Sequence, residues 1–425
     1  MMSYMKKIQY ILLGLMSVLF VSCDQFKEAD EATKIESLDV NVSLSIDVPG
    51  MASAEGLVVR IENTGEGLAY RKEFSGTEVS VNDVIPGIYT ISVSGTALDL
   101  EGNEYYINGN EVNKAIYAGV NSVTINMQGL KVSPLVFKEI YFCGSRPPVG
   151  FSYFRDQFYE IYNNSSEVQY LDGIHFAQLF PLTATRSLPV WPESDAGKYC
   201  YGERVWKFPG NGTQYPLQPG ESAVIAQFAA NHKLEIYNPN SPVDCSHAEF
   251  EFNMNNANFP DQPAIDMLHV FYNGQAAMGT IPQFLTPVFG GAFAIFRIPA
   301  GEVWDPVNNL DLQADNLATA TIERKARIPI SYVLDAVECV NGESYQDAKR
   351  LPAVLDAGCT WIGSTYCGLG VARKVSLTEE GDTIRRENGA LIFQDTNNST
   401  DDFERSVVPE LHRYGTGVPS WNVTY

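Results

Sequence analysis

Apolar and polar residues alternate strictly from Leu38 to Val48, with Leu38, Val40, Val42, Leu44, Ile46 and Val48 separated by Asp, Asn and Ser. A period of two turns one face of a strand to a core and the other to water. Shorter runs of the same kind follow at Leu57–Ile61, Val79–Val81, Tyr89–Val93 and Val120–Met127, divided by Gly, Asn and Pro. Closely spaced strands with turn punctuation predict a small β-sandwich over residues 36–130. After a joint at Lys131–Pro134, strand signals resume at Leu135–Phe142, Gln157–Asn164 and Val168–Gly173. No long 3.6-residue periodicity occurs, and only short helical turns are expected near Tyr332–Val337 and Ser344–Lys349. The pattern predicts an all-β chain with a second, larger β-rich unit over residues 135–425.

The first residues follow a different pattern. Lys6 and Lys7 precede an apolar run from Ile11 to Val21 that ends at Ser22-Cys23. The run holds about 11 residues, short of the roughly 20 a spanning helix needs, so residues 1–22 read as a cleaved signal peptide. Phe20-Val21-Ser22-Cys23 resembles the lipobox of bacterial lipoproteins, which implies lipidation of Cys23. Acyl chains contribute ~0.8 kcal/mol per buried methylene, so two or three together anchor stably. Residues 23–35 form an acidic tether, and Asp24 to Glu31 resembles the signal that carries some lipoproteins to the cell surface. The implied location is the outer membrane, lipid-anchored and surface-exposed.

Further resemblances concern the folded part. Val84 to Val93, with the Pro86-Gly87 turn and then Tyr89, Ile91 and Val93, resembles the turn and strand of prealbumin-like sandwich modules. In the second unit, Leu135–Phe142, Gln157–Gly173, Leu217–Ala226 (with Pro219-Gly220-Glu221) and Asp395–Phe403 stand in the order of blocks in the lamin-tail-type immunoglobulin-like domain. The whole chain resembles uncharacterised surface lipoproteins of gut-type anaerobes. The implied fold is an N-terminal prealbumin/immunoglobulin-like β-sandwich followed by a larger lamin-tail-like one. An immunoglobulin-like domain needs only about a hundred residues, so the surplus is expected in insertions at 177–215, 227–268 and 300–370. Long loops on a rigid scaffold are where binding function tends to lie.

Charge narrows the partners. The net charge of −22 becomes more negative on removal of a signal that carries two lysines and no acid. Such a surface repels nucleic-acid backbones and anionic lipid while leaving room for divalent cations. Cys143, Cys200, Cys245, Cys339, Cys359 and Cys367 are compatible either with disulfides in an exported chain or with buried thiols. Cys359 and Cys367 are the nearest pair along the chain. The five histidines show no metal-ligand spacing, no GxSxG nucleophile motif occurs, and Glu139, Glu160 and Asp172 read as structural carboxylates.

Two candidate sites remain. Asp395, Asn397, Ser399 and Asp401 place side-chain oxygens at alternate positions, as in the first half of a calcium loop, although Thr400 and Ser406 replace its glycine and bidentate glutamate. Asn and Asp side chains closing a turn explain the same residues. Trp191, Tyr199, Tyr201 and Trp206, joined by Phe208 and Tyr215, cluster near Arg186, Lys198, Arg204 and Lys207. Such aromatics either stack on a planar or anionic ligand or form a satellite core. Together these features predict a non-catalytic ligand- or partner-binding lipoprotein without a cofactor, and the resemblance to surface lipoproteins implies a role accessory to nutrient uptake through a TonB-dependent transporter. A structural or adhesive envelope role and an extracellular hydrolase are the alternatives.

Overall fold

The computed structural model describes residues 35–63, 65–279, 283–284, 286–378 and 380–424. The signal peptide, Cys23 and nearly all of the acidic tether lie outside the described residues. The described residues are almost entirely strand and loop, as the alternation predicts.

The first unit is one curled sheet of β1 (Leu38–Asp47), β2 (Met51–Asn63), β3 (Leu68–Phe74), β4 (Glu78–Val84), β5 (Gly87–Asp99), β6 (Glu104–Ile116) and β7 (Ser122–Lys131). Its order is β3-β2-β5-β6-β7-β1-β4, and the edge strands β3 and β4 come into contact, so the sheet wraps around its own core. Neighbours are antiparallel except β1 and β7, which run parallel with Asn41 opposite Ser122 and Asp47 opposite Gln128. Alternation selects Val40, Val42, Val59, Ile61, Ile91, Val93, Ile107, Ile125 and Met127 for the interior.

The second unit is a two-layer sandwich. One sheet runs β16 (Ile265–Asp266), β15 (Phe250–Glu251), β14 (Ser222–Ala226), β9 (Phe158–Asn163), β8 (Leu135–Tyr141), β22 (Gly370–Arg373), β23 (Phe403–Val407). The other runs β19 (Gln313–Asp315), β20 (Arg324–Pro329), β12 (Tyr199–Lys207), β11 (His175–Leu179), β18 (Ala292–Phe296), β21 (Val333–Glu338), with β17 (Leu268–Tyr272) also on β12. A small ribbon of β10 (Gln169–Tyr170) and β13 (Pro216–Leu217) stands beside them. Between the sheets Tyr159 packs on Phe176 at 4.7 Å and on Phe293 at 4.9 Å, ring centre to ring centre.

Both sheets are covered on their outer faces too. Val136, Tyr162, Leu391 and Phe393 close one side, while Leu179, Val205, Phe296, Trp304, Ile328 and Leu355 close the other. Every residue of β8, β9, β11 and β14 is therefore buried. This corrects the expectation of insertions on a minimal sandwich. Residues 177–215 supply β12, a central strand with partners β11, β17 and β20, and residues 300–370 supply β19, β20 and β21. The extra length builds a second full sheet. The helical turn expected at Tyr332–Val337 is instead a 3-10 turn at Ile330–Tyr332 followed by β21, whereas Glu343–Ala348 does form a 3-10 turn.

Burial on both faces forces charged residues inside, and several of them form ion pairs. Lys138 meets Glu160 at 2.8 Å, Arg413 meets Glu139 at 2.7 Å, and Arg350 meets Glu338 at 2.7 Å. The most connected is Arg373, which donates to Asp335 at 2.6 Å, Asp395 at 2.9 Å, the Phe137 carbonyl at 2.7 Å and the Gln394 carbonyl at 3.1 Å. Asp402 is 3.7 Å away. Asp335 also accepts the Phe137 amide at 2.6 Å, so one arginine-carboxylate group ties β8 and β22 of one sheet to β21 of the other.

Candidate functional site

The aromatic segment does not converge on one surface. Both faces of β12 are buried, so its side chains are distributed to two different cores. Trp206 is wholly buried between Phe252 at 5.1 Å and His269 at 4.9 Å, and Arg204 lies over the Tyr272 ring at 4.0 Å while donating to the Met278 carbonyl at 2.8 Å. Tyr201 is buried, stacks on Trp191 at 3.6 Å and donates to Asp195 at 3.2 Å. Tyr199 is half-buried with Arg327 at 5.8 Å from its ring. Among the five, Trp206 and Arg204 are core residues and cannot reach a ligand. This corrects the reading of the cluster as a single stacking platform.

The four oxygens of the calcium-like run are likewise dispersed. Asp395 accepts from Arg373, and Ser399 donates to Asp356 at 2.5 Å. Asp401 accepts from Arg60 of β2 at 2.6 Å and from Asn398 at 3.0 Å. Asn397 adopts φ 51°, and its carbonyl accepts the Ala357 amide at 2.6 Å. The run is a turn capped by Asn398, whose side chain accepts the Thr400 amide at 3.1 Å, leading into a single helical turn at Ser399–Asp402. These carboxylates face protein donors and not a common centre, which corrects the cation-loop reading. Carboxylates do gather elsewhere: Glu251, Asp261 and Asp266 bring ligand atoms within 4.8 Å of one another, and burial pushes Glu251 up to about 7.

Ser222, His412 and Glu249 have the residue types of a hydrolytic triad. Ser222 Oγ lies 2.9 Å from His412 Nδ1, and Glu249 lies 3.3 Å from Nε2. Ser222, however, is wholly buried, and its hydroxyl donates to Glu160 at 2.5 Å. A hydroxyl has one proton, so with it given to Glu160, Nδ1 must be the donor to Ser222. Burial acts to lower the His412 pKa, but Glu249 and Glu160 raise it overall, which favours that protonated imidazole. The group is an internal polar network linking β14 to residues 412–416. Asp172, the third structural carboxylate singled out above, accepts the Gly212, Gln214 and Tyr215 amides at 2.8–3.1 Å and shapes that loop.

An accessible concave surface lies between the two units. The outward faces of β2, β5 and β6 present Arg60, Glu62, Thr90, Ser92 and Asn110 toward the loop of residues 342–363 and the turn at 398–400. The largest part of this cleft has a volume of about 870 Å³ and is lined by Glu62, Asn63, Thr90, Arg186, Gln346 and Trp361 among others. Arg186 donates to Asp347 at 3.0 Å, and Arg405 braces the Trp361 indole at 3.4 Å from its ring centre. The Arg60–Asp401 pair, 19% and 33% exposed, stands between neighbouring compartments of the cleft. Partial burial raises the Glu62 pKa, with Arg60 opposing and Asp401 reinforcing the shift. Of the cations noted in the aromatic segment, Arg186 lines this cleft. The sequence carries no signal for the site: β2 and β5 show only an ordinary polar face, and the opposite wall comes from residues some 250 positions further on.

Residues 218–410 match the family described as a protein of unknown function (DUF4876). The chain is similar to a crystal structure, at 2.50 Å resolution, of a DUF4876 family protein from Bacteroides thetaiotaomicron VPI-5482. The two share 61% identity over 91% of this chain and 100% of the other, with a TM-score of 0.70. No curated protein matches the chain.

Proposed function

Because the chain belongs to the DUF4876 family, whose function is undefined, we propose from its geometry that it is a non-catalytic binding protein whose ligand occupies the cleft between its two units. The cleft is the observation that supports this reading. Its walls carry hydroxyl, amide, carboxyl and cationic side chains with one braced indole, beside the apolar Ile88 and Val112, chemistry that fits a hydroxyl-rich ligand with apolar ring faces such as an oligosaccharide. The triad-like group at Ser222 is sealed from solvent and committed to internal hydrogen bonds, which favours binding over hydrolysis.

The proposal places the protein on the outer membrane, held by lipid on Cys23, exposed at the cell surface and accessory to a TonB-dependent transporter. The basic start, the apolar run and Ser22-Cys23 support export, and the source of the matching crystal structure accords with that setting. A lamin-tail-like relationship for the second unit is part of the same proposal. It is supported by the placement of its blocks on β8, β9, β14 and the turn before β23, all in or beside one sheet.

The test is retention of the purified chain in gels containing individual polysaccharides, followed by calorimetry on any that retard it. Trp361→Ala and Gln346→Ala should weaken binding at least about tenfold, some 1.4 kcal/mol, with unfolding unchanged. Undiminished binding by both variants removes the cleft as the site. For localisation, protease added to intact cells should digest the protein, and Cys23→Ala should release it from membranes. Protection in intact cells would exclude surface display.

A further inference from the structure

We propose that Cys143 and Cys367 are a disulfide-forming pair, and that their bond fastens the loop walling the cleft to the sandwich. The two sulfurs lie 3.5 Å apart, although Cys359 stands far nearer to Cys367 along the chain. Two backbone hydrogen bonds hold the segments side by side: the Tyr366 amide to the Cys143 carbonyl at 2.8 Å, and the Gly368 amide to the Gly144 carbonyl at 2.9 Å. The cysteines therefore sit in register, one on each strand of a short clamp.

The clamp is fixed from below as well. Gly144 has φ +69°, and a Cβ there would fall 2.3 Å from the Tyr153 carbonyl, so only glycine lets the chain turn this close to its neighbour. Closing the gap to the ~2.05 Å of a disulfide takes side-chain rotation, with the backbones already opposed. The remaining described cysteines, Cys200, Cys245, Cys339 and Cys359, are all buried, whereas Cys367 is exposed.

That asymmetry sets the order of the chemistry. Burial pushes the Cys143 thiol up to about 12, which makes it a poor first nucleophile. The Cys367 thiolate attacks the disulfide of an oxidant, either a thiol-disulfide oxidoreductase or oxidised glutathione, and one thiol leaves. Cys143 then loses its proton and attacks the Cys367 sulfur, displacing the second thiol. Two protein thiols and one external disulfide become one protein disulfide and two external thiols.

The consequence reaches the cleft. Residues 342–363 wall it and end just before Cys367, so the bond would anchor that loop at its C-terminal end to the exit of β8. The pair is 224 positions apart, and long closed loops restrict the unfolded chain most.

In the cell the bond rests on the export proposed above, because cytosolic thiols are kept reduced. The full-length chain is reduced, freed of reductant, incubated with oxidised glutathione, denatured, alkylated and mapped by mass spectrometry. The expected product is a Cys143–Cys367 linked peptide that vanishes on reduction, and a thermal midpoint several degrees above that of the reduced chain. Cys143→Ser should leave Cys367 as a mixed disulfide with glutathione, and Cys367→Ser should leave Cys143 free. Alkylation of both cysteines after oxidation, or a Cys367–Cys359 linkage, overturns the proposal. Linkage in vitro combined with free thiols in protein alkylated inside intact cells leaves the pair standing and refutes export.

Discussion

Arg373→Met is the sharpest test of what holds the two sheets together. The guanidinium is fully buried, and its removal strands Asp335, Asp395 and Asp402 without a counter-charge. Removing one partner of a buried ion pair costs about 3–5 kcal/mol. The Phe137 and Gln394 carbonyls also lose their donor, at about 1–3 kcal/mol each where water cannot replace it. Proton uptake by the stranded carboxyls offsets part of this. A net loss of about 5 kcal/mol at pH 8 is expected, a large share of the 5–15 kcal/mol that a folded domain typically has.

The offset makes the prediction specific. Burial already pushes the Asp335 and Asp402 carboxyls up, against the pull of Arg373. One positive charge cannot balance three negative ones, and without it Asp335 and Asp402 bind protons more readily still. The loss should therefore shrink by about 2 kcal/mol between pH 8 and pH 5.5. The assay is guanidinium chloride unfolding followed by tryptophan fluorescence at both pH values. A variant within about 0.5 kcal/mol of the parent at pH 8, the range of ordinary surface changes, or a loss identical at both pH values, would refute the account.

The aromatic segment gives a paired comparison. Trp206→Ala should cost about 3–5 kcal/mol by chemical denaturation, whereas half-exposed Trp191, stacked on Tyr201, should cost about 1 kcal/mol; equal effects would contradict their different burial. Stability should also depend on pH. Glu139 and Glu251 are pushed up to about 7, and Asp156 and Asp356 to about 6, by burial above all. Each native group holds its proton to higher pH than the unfolded chain, so its contribution is complete below the unfolded value and is lost as pH rises through 6–7. His175, His232 and His269, lowered to about 3, 4 and 4 by burial, act oppositely below their unfolded value. The thermal midpoint should rise from pH 8 to about 6.5 and flatten below it, and a continuous fall over the first interval would contradict these shifts.

The alternation at Leu38–Val48 and Tyr89–Val93 was readable because the first unit has one wet face. In the second unit β8 and β9 are covered on both sides, so periodicity of two gives way to runs such as Leu135–Tyr141 in which Lys138 and Glu139 interrupt apolar residues. Local sequence cannot show that those two charges meet Glu160 and Arg413, since the latter lies far along the chain. The same limit misplaced Trp206 and Arg204. A dense aromatic segment looks alike whether its strand lies at an edge or, like β12, in the middle of a sheet with cover above and below. Asp395 to Asp401 suggested an ion because oxygen spacing was visible, while Arg373 and Arg60, which engage that turn, were not.

The parallel pairing of β1 with β7 has a mechanical meaning. In an all-antiparallel unit with an even number of strands the chain would return to the side it entered from. Here the first and last strands point the same way, so Leu38 and Lys131 emerge at opposite poles. Ten residues at about 3.3 Å each give a pole-to-pole rise of roughly 30 Å. With a lipid at the N-terminal end, as proposed, a pull on the second unit would load β1 and β7 in shear along their shared ladder, where several hydrogen bonds must fail together. The first unit would then act as a stand-off that resists tension.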